Sequence, residues 1–135
     1  MQYKLSSGIF TGLLIGLFFL GCRTNLYKQG HQIYRFNCEG CHMEDGSGLA
    51  KLIPSIRESG LFKGSPDRLI CIIRHGIEKK NEIGPQMPGN DKLNEVELAN
   101  LVNYLRNEYT FKPDAITPAE VETCLALCNR SEYQK

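Results

Sequence analysis

Five consecutive residues constrain this chain more than any others: Cys38-Glu39-Gly40-Cys41-His42. Two cysteines separated by two residues, with a histidine directly after the second, are the attachment signal for c-type haem. The two thiols add across the two vinyl groups of the ring and form thioethers. The two-residue spacer puts both sulfurs on one edge of a turn. The adjacent histidine is carried under the iron, where its imidazole becomes the proximal ligand. Two other readings of the run are weaker. Zinc needs four ligands, usually in two separated pairs, and Cys71, Cys124 and Cys128 supply no second Cys-x-x-Cys. A thioredoxin-like thiol pair needs a βαβ setting, and no strand pattern is visible to provide one.

The N-terminus reads as an export signal. Lys4 gives a short positive region, and Ile9 to Leu20 forms an apolar stretch of twelve residues. That is too short to span a ~30 Å hydrocarbon core as a settled helix, and it fits a secretory signal peptide. Residues 1–21 are therefore expected to be signal and 22–29 a tether. The sequence Phe19-Leu20-Gly21-Cys22 resembles the lipobox of bacterial lipoproteins, in which the cysteine is acylated and becomes the mature N-terminus. Gly21 suits that pattern, and Phe19 departs from it, standing where leucine is usual. Cleavage by ordinary signal peptidase and a short uncleaved anchor are the alternatives. Acyl chains on Cys22 would hold the domain at a membrane, at ~0.8 kcal/mol per buried CH₂.

Charge excludes one class of partner. The chain has 16 Lys and Arg against 15 Asp and Glu. Losing residues 1–21 removes only Lys4, and no basic run points to nucleic acid.

The remainder reads as helices joined by Gly- and Pro-rich loops, an all-α pattern with no strand alternation. Lys28 to Asn37 forms a first helix, with Gly30 and Tyr34 four apart on one face and Ile33 and Phe36 beside them. Ser65-Pro66 opens a second, as N-cap and first helical residue. Leu69, Ile70, Ile72 and Ile73 give it a broad apolar face, and Gly76 ends it. Asn94 and Glu97 form a capping box for a third helix. Its buried stripe is Leu98, Leu101, Val102 and Leu105. Thr117-Pro118-Ala119-Glu120 starts a last helix, about 118–128.

On the first-helix residues, the Cys-x-x-Cys-His run and the Leu101, Tyr104, Leu105 helix, residues 28–107 resemble a class I, mitochondrial-like, monohaem cytochrome c domain. The resemblance implies three main helices around haem, with residues 108–135 a C-terminal extension. It implies a near-perpendicular crossing of first and last core helices, for which Gly30 and Tyr104 are the candidates. It implies a distal methionine in the loop before the last core helix. Met1 goes with the signal and Met43 lies on the proximal side, which leaves Met87 in Pro85-Gln86-Met87-Pro88-Gly89. Pro54 fits the loop proline whose carbonyl accepts from the second ring nitrogen of the proximal histidine, His42. Arg74, His75 and Asn81 could pair with haem propionates or stand in solvent, and His31 is expected on the surface.

The function these features imply is one-electron transfer. His/Met ligation raises the reduction potential relative to bis-histidine sites and saturates the iron, which argues against binding oxygen or peroxide. In this family thioether attachment occurs outside the cytoplasm. The expected partners are therefore redox proteins or a membrane respiratory complex at the periplasmic side of a bacterial membrane. A haem subunit of a larger respiratory or dehydrogenase complex is the alternative. A haem sensor or peroxidase-like enzyme would need an open iron site.

Three cysteines are left over. In an oxidising compartment free thiols tend to pair. Cys124 and Cys128 are one turn apart, with side-chain vectors awkward for a mutual bridge. A bridge from Cys71 to Cys124 or to Cys128 would pin the tail helix onto the domain.

Overall fold

A computed structural model describes residues 27–50, 52–77, 86–110 and 114–128. Five helices run through the described residues: α1 (Lys28–Asn37), α2 (Glu39–His42), α3 (Asp67–His75), α4 (Glu95–Thr110) and α5 (Pro118–Leu127). Residues 1–26, which hold the expected signal, most of the expected tether and Cys22, lie outside the described residues, as do Asn81 and Pro85.

Packing begins with α1 against α4. Gly30 and Tyr34 are the buried residues of α1. A Cβ at Gly30 would run into the Asn100 carbonyl and the Tyr104 Cβ, both on α4. The bare glycine therefore lets the two backbones touch. Tyr34 lies 5.8 Å from Tyr104, ring centroid to centroid. His31 also packs on Tyr104, at 5.3 Å, so it is half-buried rather than on the surface. Phe36 differs from expectation in the other direction: it is 88% exposed. Two residues rotate a helix by about 200°, which turns Phe36 away from the Tyr34 face.

The third helical element begins one residue later than its sequence suggests. The Pro66 carbonyl already accepts from Ile70 N at 3.0 Å, so Pro66 is the N-cap. The Ser65 hydroxyl is left outside the first turn and donates to the Asp67 carboxylate at 2.7 Å. Leu69 to Ile73 are all buried, and Gly76 ends the helix with φ 76°, a backbone region that side-chain-bearing residues rarely enter.

At the start of α4 the capping box is in place. Glu97 N donates to Asn94 Oδ1 at 2.9 Å, and Asn94 N donates to Glu97 Oε2 at 3.0 Å. Leu98, Leu101, Val102 and Leu105 are buried. The helix runs to Thr110, past residue 107, and the extension shares its core: Ile116 and Val121 are buried in the same cluster. Asn103 on α4 holds the lead-in to α5 as a backbone would. Its amide donates to Ile116 O at 2.9 Å and accepts from Ile116 N at 2.8 Å. The Thr117/Glu120 capping box starts α5. A disulfide joins Cys71 of α3 to Cys128 at the end of α5.

One element escapes the periodicity. Gly76–Ile77 (β1) pairs antiparallel with Met87–Pro88 (β2), in the register Gly76↔Pro88 and Ile77↔Met87. Two residues per strand are too few to show alternation, so an all-α reading misses this ladder while keeping the fold class.

Candidate functional site

The Cys38–His42 run sits on the turn that leaves α1. Cys38 is the C-cap of α1, and its carbonyl accepts from Cys41 N at 3.1 Å and His42 N at 2.9 Å. The run is thus itself a helical turn, α2, with Cys38 half-buried against the core and Cys41 exposed. Neither thiol is in a disulfide. Burial, and then the neighbouring Cys41, push the Cys38 thiol up to about 11. Burial alone pushes His42 down, which favours the neutral imidazole that a metal requires.

His42 Nδ1 is buried with no hydrogen-bond partner. The expected bond to the Pro54 carbonyl is not made. Leu49 and Ile53 close on each other through two backbone bonds, of 2.9 and 3.3 Å. That closure carries the exposed Pro54 over Gly48, where a Cβ would strike the Pro54 carbonyl. The turn after His42 is fixed by other groups. Met43 has φ 63°, and its carbonyl accepts from the Tyr34 hydroxyl at 2.6 Å and from Gly46 N at 3.2 Å. His42 O accepts from Gly48 N at 3.1 Å. Met43 itself is half-buried.

Met87 is also half-buried and lies opposite Ile77 in the short ladder. The chain beyond it folds back onto the helices. Asn90 N donates to Ile73 O at 2.9 Å, and Asn90 Nδ2 donates to Asn37 Oδ1 at 3.0 Å. Asn37 directly precedes Cys38, so the methionine segment is tied beside the cysteine motif. Arg74 is engaged here as well. Its guanidinium donates to Asn90 O at 3.2 Å and to Leu93 O at 2.8 Å. His75 is half-buried.

Sequence reasoning missed three of these contacts: the Tyr34 hydroxyl on Met43, the Asn37–Asn90 bond and the Arg74 fork. The signal for the first is a tyrosine hydroxyl at a core position, which needs a partner when buried. The others join residues 53 and 16 or more apart in sequence and leave no local trace.

The residues present fit a covalently held haem. Two unpaired thiols stand on one helical turn, and directly after them comes a half-buried imidazole whose enclosed Nδ1 has no partner and whose pKa burial pushes down. Phe36, Leu49 and Leu52 expose apolar surface nearby in sequence. Among the described residues no group of three or more His, Cys, Asp or Glu could hold a bare metal ion.

A helical fold with this motif on the turn out of its first helix defines a c-type cytochrome domain. Residues 25–105 match the family described as cytochrome c oxidase, cbb3-type, subunit III, and the chain belongs to it. It is similar to the cytochrome c subunit of alcohol dehydrogenase (quinone) from Gluconacetobacter polyoxogenes and from Komagataeibacter europaeus. Each is 30% identical over 99 residues, covering 68% of this chain and 21% of that protein. The same subunit from Gluconobacter oxydans (strain 621H) is 26% identical over 100 residues, 69% of this chain and 21% of that protein. The chain spans about a fifth of the length of these relatives. As a member of this family it carries covalently bound haem c with iron.

Proposed function

We propose that this chain is a class I monohaem cytochrome c that passes single electrons, with Cys38 and Cys41 as thioether ligands, His42 as proximal and Met87 as distal ligand. The observation that carries the reading is the pairing of two segments. His42 is half-buried on the motif turn, with its Nδ1 enclosed and its pKa pushed down by burial, and the Met87 strand is tied to that turn through Asn90 and Asn37. Haem bound there supplies a one-electron iron couple. The chain's own part is to hold the imidazole unprotonated, to keep the Met87 thioether in place and to leave no vacant position for an outside ligand. Saturated iron favours transfer over oxygen or peroxide chemistry.

The reading extends to place and partners. Residues 1–21 act as an export signal, and Cys22 is lipidated, so that a short tether holds the domain at the periplasmic face of a bacterial membrane. The relatives are subunits of a quinone-dependent alcohol dehydrogenase, which favours a second reading: a haem subunit that takes electrons within a dehydrogenase or respiratory complex. The α5 extension, pinned by a disulfide, offers such a subunit extra surface. Purification from the native membrane separates the two, as a complex or as a lone lipid-bearing chain.

Ligation is tested by optical spectra of the holoprotein. The oxidised protein should show the weak methionine–iron band at the red end, and Met87→Ala should abolish it. A reduced wild-type protein that binds carbon monoxide at once would overturn the carrier reading and favour a sensor or peroxidase-like site.

A further inference from the structure

We infer that Arg74 is a positioning residue for the distal ligand: its guanidinium, with the Asn37–Asn90 bond, locks the Met87 segment against the haem motif. The inference rests on the reading of Met87 as that ligand.

Met87 lies between two anchors of different kind. On its N-terminal side the ladder is minimal: two residues pair with two, Gly76↔Pro88 and Ile77↔Met87. So short a ladder is weak alone. It is hemmed in at Gly76, where a Cβ would strike the backbone of Met87 to Gly89. On the C-terminal side the segment is gripped from α3. Arg74 Nη1 and Nη2 take the carbonyls of Asn90 and Leu93, at 3.2 and 2.8 Å. A planar fork that bonds two carbonyls at once fixes direction as well as distance, which a lysine ammonium cannot do. Gly89 packs so closely on α3 that a Cβ there would meet Arg74 O and the His75 backbone.

Asn90 then passes the position on. Its backbone N–H holds Ile73 O at 2.9 Å, and its side chain reaches Asn37 at 3.0 Å. Asn37 is in turn fixed to its own helix by a 2.8 Å bond to Ile33 O. The chain of bonds runs Arg74, Asn90, Asn37, Cys38. It joins the methionine side and the histidine side of the site without passing through the ring.

A structural role alone would lower stability and leave the iron closed. A positioning role makes the methionine easier to displace. The test is equilibrium binding of added imidazole to the oxidised holoprotein, read from loss of the methionine–iron band, alongside the thermal midpoint. Arg74→Ala should lower the imidazole Kd at least tenfold, and Arg74→Lys should recover little of it. Asn37→Ala, an exposed change that spares α3, should lower it about threefold, and it decides the matter if Arg74→Ala does not load haem. Imidazole Kd within twofold of wild type in both variants, with Met87→Ala binding far more tightly, would overturn the positioning role and keep Met87. A Met87→Ala protein that binds like wild type would overturn the ligand assignment and this inference with it.

Discussion

A methyl group added at Gly30 would meet the Asn100 carbonyl and the Tyr104 Cβ. One is backbone and the other is the root of a buried ring, so no rotamer change relieves the collision. Alanine gains about 1 kcal/mol over glycine as a helix former. Overpacking a tight contact costs about 1–3 kcal/mol, and separating α1 from α4 also opens the Tyr34–Tyr104 contact. The second effect wins, because the obstacle is main chain. Gly30→Ala should therefore lose about 1–2 kcal/mol net in denaturant unfolding of the holoprotein, and a gain in stability would refute the close crossing. The same scale governs His42. With its Nδ1 unpartnered, the ring is aimed by its backbone, which the Tyr34 hydroxyl fixes through Met43.

Elements differ in what holds them. The α1–α4 crossing and α3 rest on apolar burial, but α5 buries only Val121 fully. Its attachment therefore leans on Asn103, the Thr117 box and the Cys71–Cys128 disulfide, which spans 57 residues. A cross-link over a loop of that length is worth about 4 kcal/mol in the chain-entropy account. Cys128→Ser should lose much of that. Amide exchange should accelerate first in α5, while the haem spectrum stays unchanged. A spectrum altered as much as α5 would mean that the extension supports the ring. Elements of this kind were legible in the sequence because their signals are local: Asn94/Glu97 and Thr117/Glu120 for the caps, Gly76 for a stop, Leu98 to Leu105 for a buried stripe. The site was legible in part. Cys38, Cys41 and His42 fall within five residues, whereas Met87 pairs with Ile77 and the chain after it is held by Asn37 of α1 and by Ile73 and Arg74 of α3. Pro54 is of the same kind: which way its carbonyl turns depends on how Leu49 meets Ile53, and composition does not record that.

At the scale of the whole molecule, the third unpaired cysteine among the described residues couples the extension to the domain through pH. Cys124 on α5 donates its thiol proton to Asp67 Oδ1 on α3, at 2.8 Å. Burial first, and then the Asp67 carboxylate, push this thiol up to about 11. In the unfolded chain the same group titrates near 9. The sign comes from linkage. Below pH 9 both states hold the proton and the full stabilisation is present. Between 9 and 11 the unfolded chain sheds its proton first, so unfolding becomes easier, and the contribution is gone once the folded thiol ionises. Burial also raises Tyr34, Tyr104 and Tyr109, Tyr104 to about 12, so every protein of this sequence should weaken in alkali. The discriminating quantity is therefore a difference between variants. Wild type should lose more stability from about pH 8 to 11 than Cys124→Ala, in denaturant midpoints of the oxidised holoprotein. Recovery on return to about pH 7 separates this titration from exchange of the Cys124 thiolate into the Cys71–Cys128 bond, which would persist. Equal losses in the two proteins would show that the Cys124–Asp67 contact does not carry the alkaline weakening.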